Sequence, residues 1–132
     1  MRSTPKMFRQ GDVLLIAIAS ALVGARNARR DRGRIVLAYG EVTGHAHAVR
    51  QRGANLTVLE DRVSMGEAAR QLLAECGLTT EIRDEEVVGV LDVAKGAVVE
   101  HEEHASIALD EGRYLVLRQR EYSPESIQTV AD

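Results

Sequence analysis

Tryptophan is absent from this 132-residue chain, phenylalanine occurs once and tyrosine three times. A core built from such a sequence must come from Val, Leu, Ile and Ala, and an apolar content of 45% leaves enough of them. Cysteine occurs once, at Cys76. That excludes an intrachain disulfide and a thiolate zinc cluster, and it suits a reducing cytoplasm. An excess of one charge is also missing: the formal net charge is −3, which gives no overall pull toward nucleic acid or an anionic membrane. The longest apolar run, Val13 to Val23, is broken only by Ser20 and falls short of the roughly 20 residues of a membrane span. Arg2, Lys6 and Arg9 precede it as in a signal peptide, but the acidic turn Gln10-Gly11-Asp12 directly in front argues against one. Neither a nucleophile elbow, a phosphate loop nor a dinucleotide fingerprint is present. These exclusions leave a single β-rich domain over residues 1–132, placed in the cytoplasm and off the membrane.

In chain order, Met1 to Gln10 reads as a loose polar arm and Gly11-Asp12 as a turn before a buried strand at Val13 to Ile18. Arg26 to Arg34 holds five arginines and is the one basic patch, read as a solvated loop in preference to an anion contact. Arg34 to Arg50 reads as a long strand or a strand pair, and Asn55 to Glu60 as another strand. Ser64 opens the clearest helix, near residues 64–76. Ser64 and Glu67 fit a capping box, the apolar stripe runs from Met65 to Cys76, and Gly77 terminates it. Cys76 lies on that stripe and reads as buried and structural. Val87 to Val93 is strand-like, Ala94 to Ala97 resembles a hairpin turn, and Tyr114 to Glu121 is a final strand ended by Pro124. Many short strands with Gly turns and one helix predict a mainly β fold, an antiparallel barrel or sandwich.

All four histidines fall in two five-residue windows, each beside a carboxylate. His45-Ala46-His47 is a His-x-His pair, and on a strand residues two apart point the same way, with Glu41 sharing that face. His101-Glu102-Glu103-His104 spaces its histidines three apart, which rejects the helical zinc-protease motif with its spacing of four. On a regular strand His101 would join Glu103, and His104 would point the other way; a bulge or a helical turn would unite both histidines. Paired strands can bring the windows together. Imidazoles with a carboxylate and an open water position form a catalytic-type ligand set for Zn, Mn, Fe or Ni. His45, His47, His101 and His104 are therefore the candidate metal ligands, and Glu41 and Glu103 the candidate proton carriers. The competing readings are separate surface histidines, core histidines satisfied by backbone bonds, or a metal-free imidazole–carboxylate site. Arg118, Arg120 and Tyr122 would share one strand face, either clamping an anion beside the histidines or pairing with acids across strands.

The His-x-His strand invites comparison with the cupins, as an architectural analogy. Gly40 lies one residue too close to His45 for that motif, Arg50, Gln51 and Arg52 stand where its Glu belongs, and its second motif is absent. The blocks Gly11-Asp12-Val13, Gly40 to His47, His101 to His104 and Arg118 to Tyr122 together resemble a small uncharacterised bacterial or phage family. That resemblance implies no activity. Three function classes follow: a small metal-dependent enzyme, a module that binds metal or a small molecule without turnover, and a homo-oligomeric assembly protein with histidines at its interface. Homo-oligomerisation is expected in any case, because short aliphatic strands leave edges to cover.

Overall fold

The computed structural model describes residues 5–40, 42–78 and 81–119. Within them the protein is mainly β, with a single α-helix. The strands are β1 (Met7–Gln10), β2 (Val13–Ile18), β3 (Arg26–Asn27), β4 (Ile35–Tyr39), β5 (Ala46–Val49), β6 (Ala54–Val58), β7 (Val87–Val93), β8 (Ala97–Glu100), β9 (Ile107–Leu109) and β10 (Gly112–Arg118), and helix α1 spans Arg62–Glu75. They form two open antiparallel sheets, ordered β1-β2-β10-β7-β6-β3 and β4-β5-β8-β9.

Alternation along the central strands shows how the layers stack. On β2, Val13 and Leu15 enter a core shared with Ile35, Val49 and Val99 of the smaller sheet. Leu14, Ile16 and Ile18 enter a second core with Met65, Ala69, Leu72 and Leu73 of α1. Strand β10 divides the same way, Tyr114 and Val116 against Leu115 and Leu117. The small sheet, the large sheet and the helix are thus three layers. The central strands are covered on both faces, which is why β2 reads as an unbroken apolar run. Each fully buried Leu or Val contributes roughly 1.5–3 kcal/mol. Strand β7 changes register opposite Val116 and Leu117, at Gly89. A Cβ there would lie 2.6 Å from the Thr57 carbonyl oxygen, so a side chain at this position would push β6 away.

Four local expectations are corrected. Met7–Gln10 is an edge strand paired to β2, not a loose arm, because Phe8 packs on the inter-sheet core and its ring meets Tyr114 edge-on at 6.2 Å. The helix starts at Arg62, with Asp61 as N-cap: its carboxylate accepts from Ser64 N at 3.0 Å and Ser64 Oγ at 2.8 Å. Asp is as good a cap as Ser, and the earlier residue wins. At the other end Gly77 (φ 78°) donates to the Ala74 carbonyl and Leu78 to the Leu73 carbonyl, the paired bonds of a Schellman motif. Ala94 to Ala97 is a corner and not a hairpin, since β7 and β8 belong to different sheets. The arginine loop is fastened down: Arg26 pairs with Glu60, and Arg30 donates to the carbonyls of Gly33, Gln51 and Ala54. The expected Arg120 and Tyr122 positions lie outside the described residues, as does Glu41. Among the described residues no helix is long and apolar enough to cross a membrane.

Candidate metal centre

Three inward-facing rows of side chains end in polar groups at one end of the inter-sheet core. On β1, Gln10 lies two residues beyond Phe8; on β5, His47 lies two before Val49; beyond β8, His101 lies two after Val99. Period-two alternation aims all three the same way as their apolar neighbours. The pairs Ala48↔Glu100 and Val49↔Val99, continued by one residue, set His47 opposite His101. Their ring centroids are 4.3 Å apart. The other rings close the group: His101–His104 at 4.7 Å, His45–His101 at 5.8 Å and His47–His104 at 5.9 Å.

The second window is not a strand. Chain pairing stops at Glu100 and resumes at Ile107, so strand parity does not govern residues 102–106, and His104 can approach His47 as His101 does. His45 stands just before β5, in the loop that returns from β4, where its carbonyl still accepts from Gly40 N. Its Nδ1 is buried without a hydrogen-bond partner, 3.7 Å from Glu103 Oε1. Donor atoms of His45, His101 and Glu102 all lie within 4.8 Å of one another. Glu102 Oε1 accepts from Ala46 N at 2.9 Å, and that backbone bond holds its carboxyl below the usual range. His101 Nδ1 accepts from Glu103 N at 3.0 Å, so the neutral ring carries its proton on Nε2. Ligation by His101 would therefore release this exposed bond, at a cost of about 0.5–1.5 kcal/mol.

His47 is 3% exposed. Its Nδ1 lies 2.7 Å from Gln10 Oε1, and the Gln10 amide nitrogen donates to the carbonyls of Val99 and Ala105 at 3.1 and 2.9 Å. Its Nε2 lies 3.4 Å from Asp12 Oδ1. The other Asp12 oxygen accepts from Arg118 Nε at 3.0 Å, and Arg118 also donates to the Tyr39 carbonyl at 2.7 Å. Burial pulls the Asp12 carboxyl upward, but the hydrogen bond and charge of Arg118 outweigh it and keep the group ionised. Gly11 (φ 58°) makes this approach possible: a Cβ there would stand 2.9 Å from His104 Nε2 and 3.3 Å from His47 Cε1.

Burial, with a smaller push from His101, lowers the His47 pKa from 6.5 to about 4. Between those values the unfolded chain takes up a proton that the folded chain refuses. Stability is therefore complete above pH 6.5 and is lost as pH falls toward 4, by on the order of 3 kcal/mol. Urea unfolding of chelator-treated protein across that range checks this; a flat profile, or the same slope in His47→Gln, counts against it.

Gln10, Asp12 and Glu102 complete the cluster, and Arg118 joins it through Asp12. In the sequence Gly11-Asp12 shows only a turn; nothing there says that the turn lies over His47. A cleft of about 980 Å³ lies elsewhere, between β4, the start of α1 and the 3₁₀ turn at Asp84–Glu86. Arg26, Arg62, Arg83 and Arg118 line it.

The family described as "Domain of unknown function (DUF8820)" matches residues 9–119. The chain belongs to this family. No curated protein and no solved structure matches the chain. The matched segment of this domain of unknown function runs from β1 through β10 and takes in Asp12, all four histidines and Arg118.

Proposed function

We propose that this domain binds a divalent transition-metal ion through its histidine cluster. The observation that carries this is the convergence of His45, His101 and Glu102 donors within 4.8 Å, with His45 Nδ1 buried and unpartnered. Neighbouring tetrahedral zinc ligands stand about 3.4 Å apart, so the three must close by roughly an ångström. Zn, Mn, Fe and Ni all accept such nitrogen and oxygen donors. His47 and His104 are the remaining imidazoles in reach, and Glu103 is the carboxylate to carry a proton, with Glu41 its partner in that role. Metal analysis of protein purified without a His tag tests the reading: bound metal that survives gel filtration supports it, and metal-free protein that takes up no Zn²⁺ ends it. Assay of metal-loaded protein for hydrolytic turnover then separates an enzyme from a binding module.

A second reading is a homo-oligomer. Its support is that β4 ends its sheet among the described residues, beside two half-exposed side chains, Tyr39 and Val42, each 54% exposed. Light scattering at micromolar concentration is expected to give a mass above the 14.4 kDa of one chain. A constant monomer mass removes this reading and leaves the metal reading intact.

A further inference from the structure

The Asp12–His47 contact is a second cation problem, separate from the His45, His101 and Glu102 group. The tautomer of His47 follows from its neighbours. Gln10 donates both amide hydrogens to the Val99 and Ala105 carbonyls, which turns its oxygen toward His47 Nδ1. An amide oxygen only accepts, so Nδ1 carries the proton. The Nε2 of the neutral ring is then a bare lone pair, and it faces an ionised carboxylate oxygen at 3.4 Å. Two acceptors held that close in a buried place repel each other unless a positive charge lies between them. A proton would satisfy them, but 3.4 Å is long for a charge-assisted hydrogen bond, which prefers about 2.7–2.9 Å. It is, however, about the separation of two ligands on one tetrahedral zinc ion.

We propose that Asp12 Oδ1 and His47 Nε2 hold a divalent cation of their own, adjacent to the ion of the reading above. His101 and His104 are the further imidazoles beside His47, at ring distances of 4.3 and 5.9 Å, and His104 Nε2 stands over Gly11 together with His47 Cε1. The surrounding bonds are those of a built ligand pair. Gln10 fixes the His47 ring from behind, and Arg118 fixes the far oxygen of Asp12, leaving the near one for the metal. His101 lies between the two positions, against both His47 and His45. Two adjacent divalent ions can activate one water between them, which is the arrangement of metallohydrolases. This centre rests partly on the first reading, but its ligands are different residues.

The test is the stoichiometry of Zn²⁺ on untagged, chelator-stripped protein, measured by calorimetric titration and metal analysis. The expected result is two ions per chain. Asp12→Asn should remove one, weakening it at least about 100-fold, and His45→Ala should remove the other. One ion per chain, lost in Asp12→Asn and kept in His45→Ala, supports the Asp12–His47 site and removes the first reading. One ion, lost in His45→Ala and kept in Asp12→Asn, does the reverse. No ion at all overturns both. Because Asp12→Asn loses the charge that Arg118 faces and could fail to fold, nitrogen NMR of the His47 ring in the parent chain gives an independent answer. A neutral ring protonated on Nδ1, with Nε2 shifting on Zn²⁺ addition, supports the site; an imidazolium at pH 7, or an Nε2 indifferent to Zn²⁺, overturns it.

Discussion

In zinc titrations of untagged protein, the His45→Ala/His101→Ala double variant is expected to bind at the first position at least about 100-fold more weakly than the parent chain. Losing a group that merely orients a ligand already costs 10–100-fold, so losing two ligands sets that as a floor. The effect belongs to the donor set and not to folding. His45 lies in a loop and His101 is half-buried just past the end of β8, and neither belongs to either hydrophobic core. Circular dichroism should therefore stay unchanged while the metal is lost. In the parent chain affinity should decline as pH falls, because the ligating imidazoles must be unprotonated. Unaltered zinc affinity in the double variant would sink the proposed first position.

Leu115→Ala should cost about 2–5 kcal/mol of stability in denaturant unfolding. Leu115 is fully buried at the middle of β10, paired between β2 and β7. Its side chain faces α1 with Ile16 and Leu73 around it, and strands flanked on both sides cannot collapse easily into the cavity. A domain of this size has only about 5–15 kcal/mol in total, so the variant would approach the folding threshold. Val23→Ala, at a side chain 89% exposed, is the control and should change stability by less than about 0.5 kcal/mol. Equal effects in the two variants would contradict the three-layer packing.

Patterns that depend only on near neighbours were legible in the sequence. The β7 boundaries, the apolar stripe of α1 and the Gly77 stop follow from periodicity and from a single residue's backbone freedom. The β1 strand was not legible, because Met7-Phe8-Arg9-Gln10 has no regular alternation and gains its order from pairing with β2. The same limit applies to the cluster. The His-x-His pair can be seen in the chain, but not that both rings meet His101, which depends on the register of β5 on β8. Asp12 is separated from His47 by 35 positions in the numbering, and only the packing of the β1–β2 turn over β5 brings it there. Gln10 was invisible for a further reason: its role is to fix a tautomer, which requires knowing both carbonyls that its amide meets.

The donors of the cluster come from three separate places: the β1–β2 turn, the approach to β5, and the turn after β8. An unfolded chain keeps only each window by itself, His45 with His47 and His101 to His104, so any ion held by the full cluster binds the native chain in preference to the unfolded one. By mass action, an ion at one hundred times its dissociation constant adds about 2.7 kcal/mol to the native state. That is comparable to the penalty expected from protonating His47, and opposite in sign. Free metal and acidity would then act on this domain as opposed dials, with its melting temperature as the common readout.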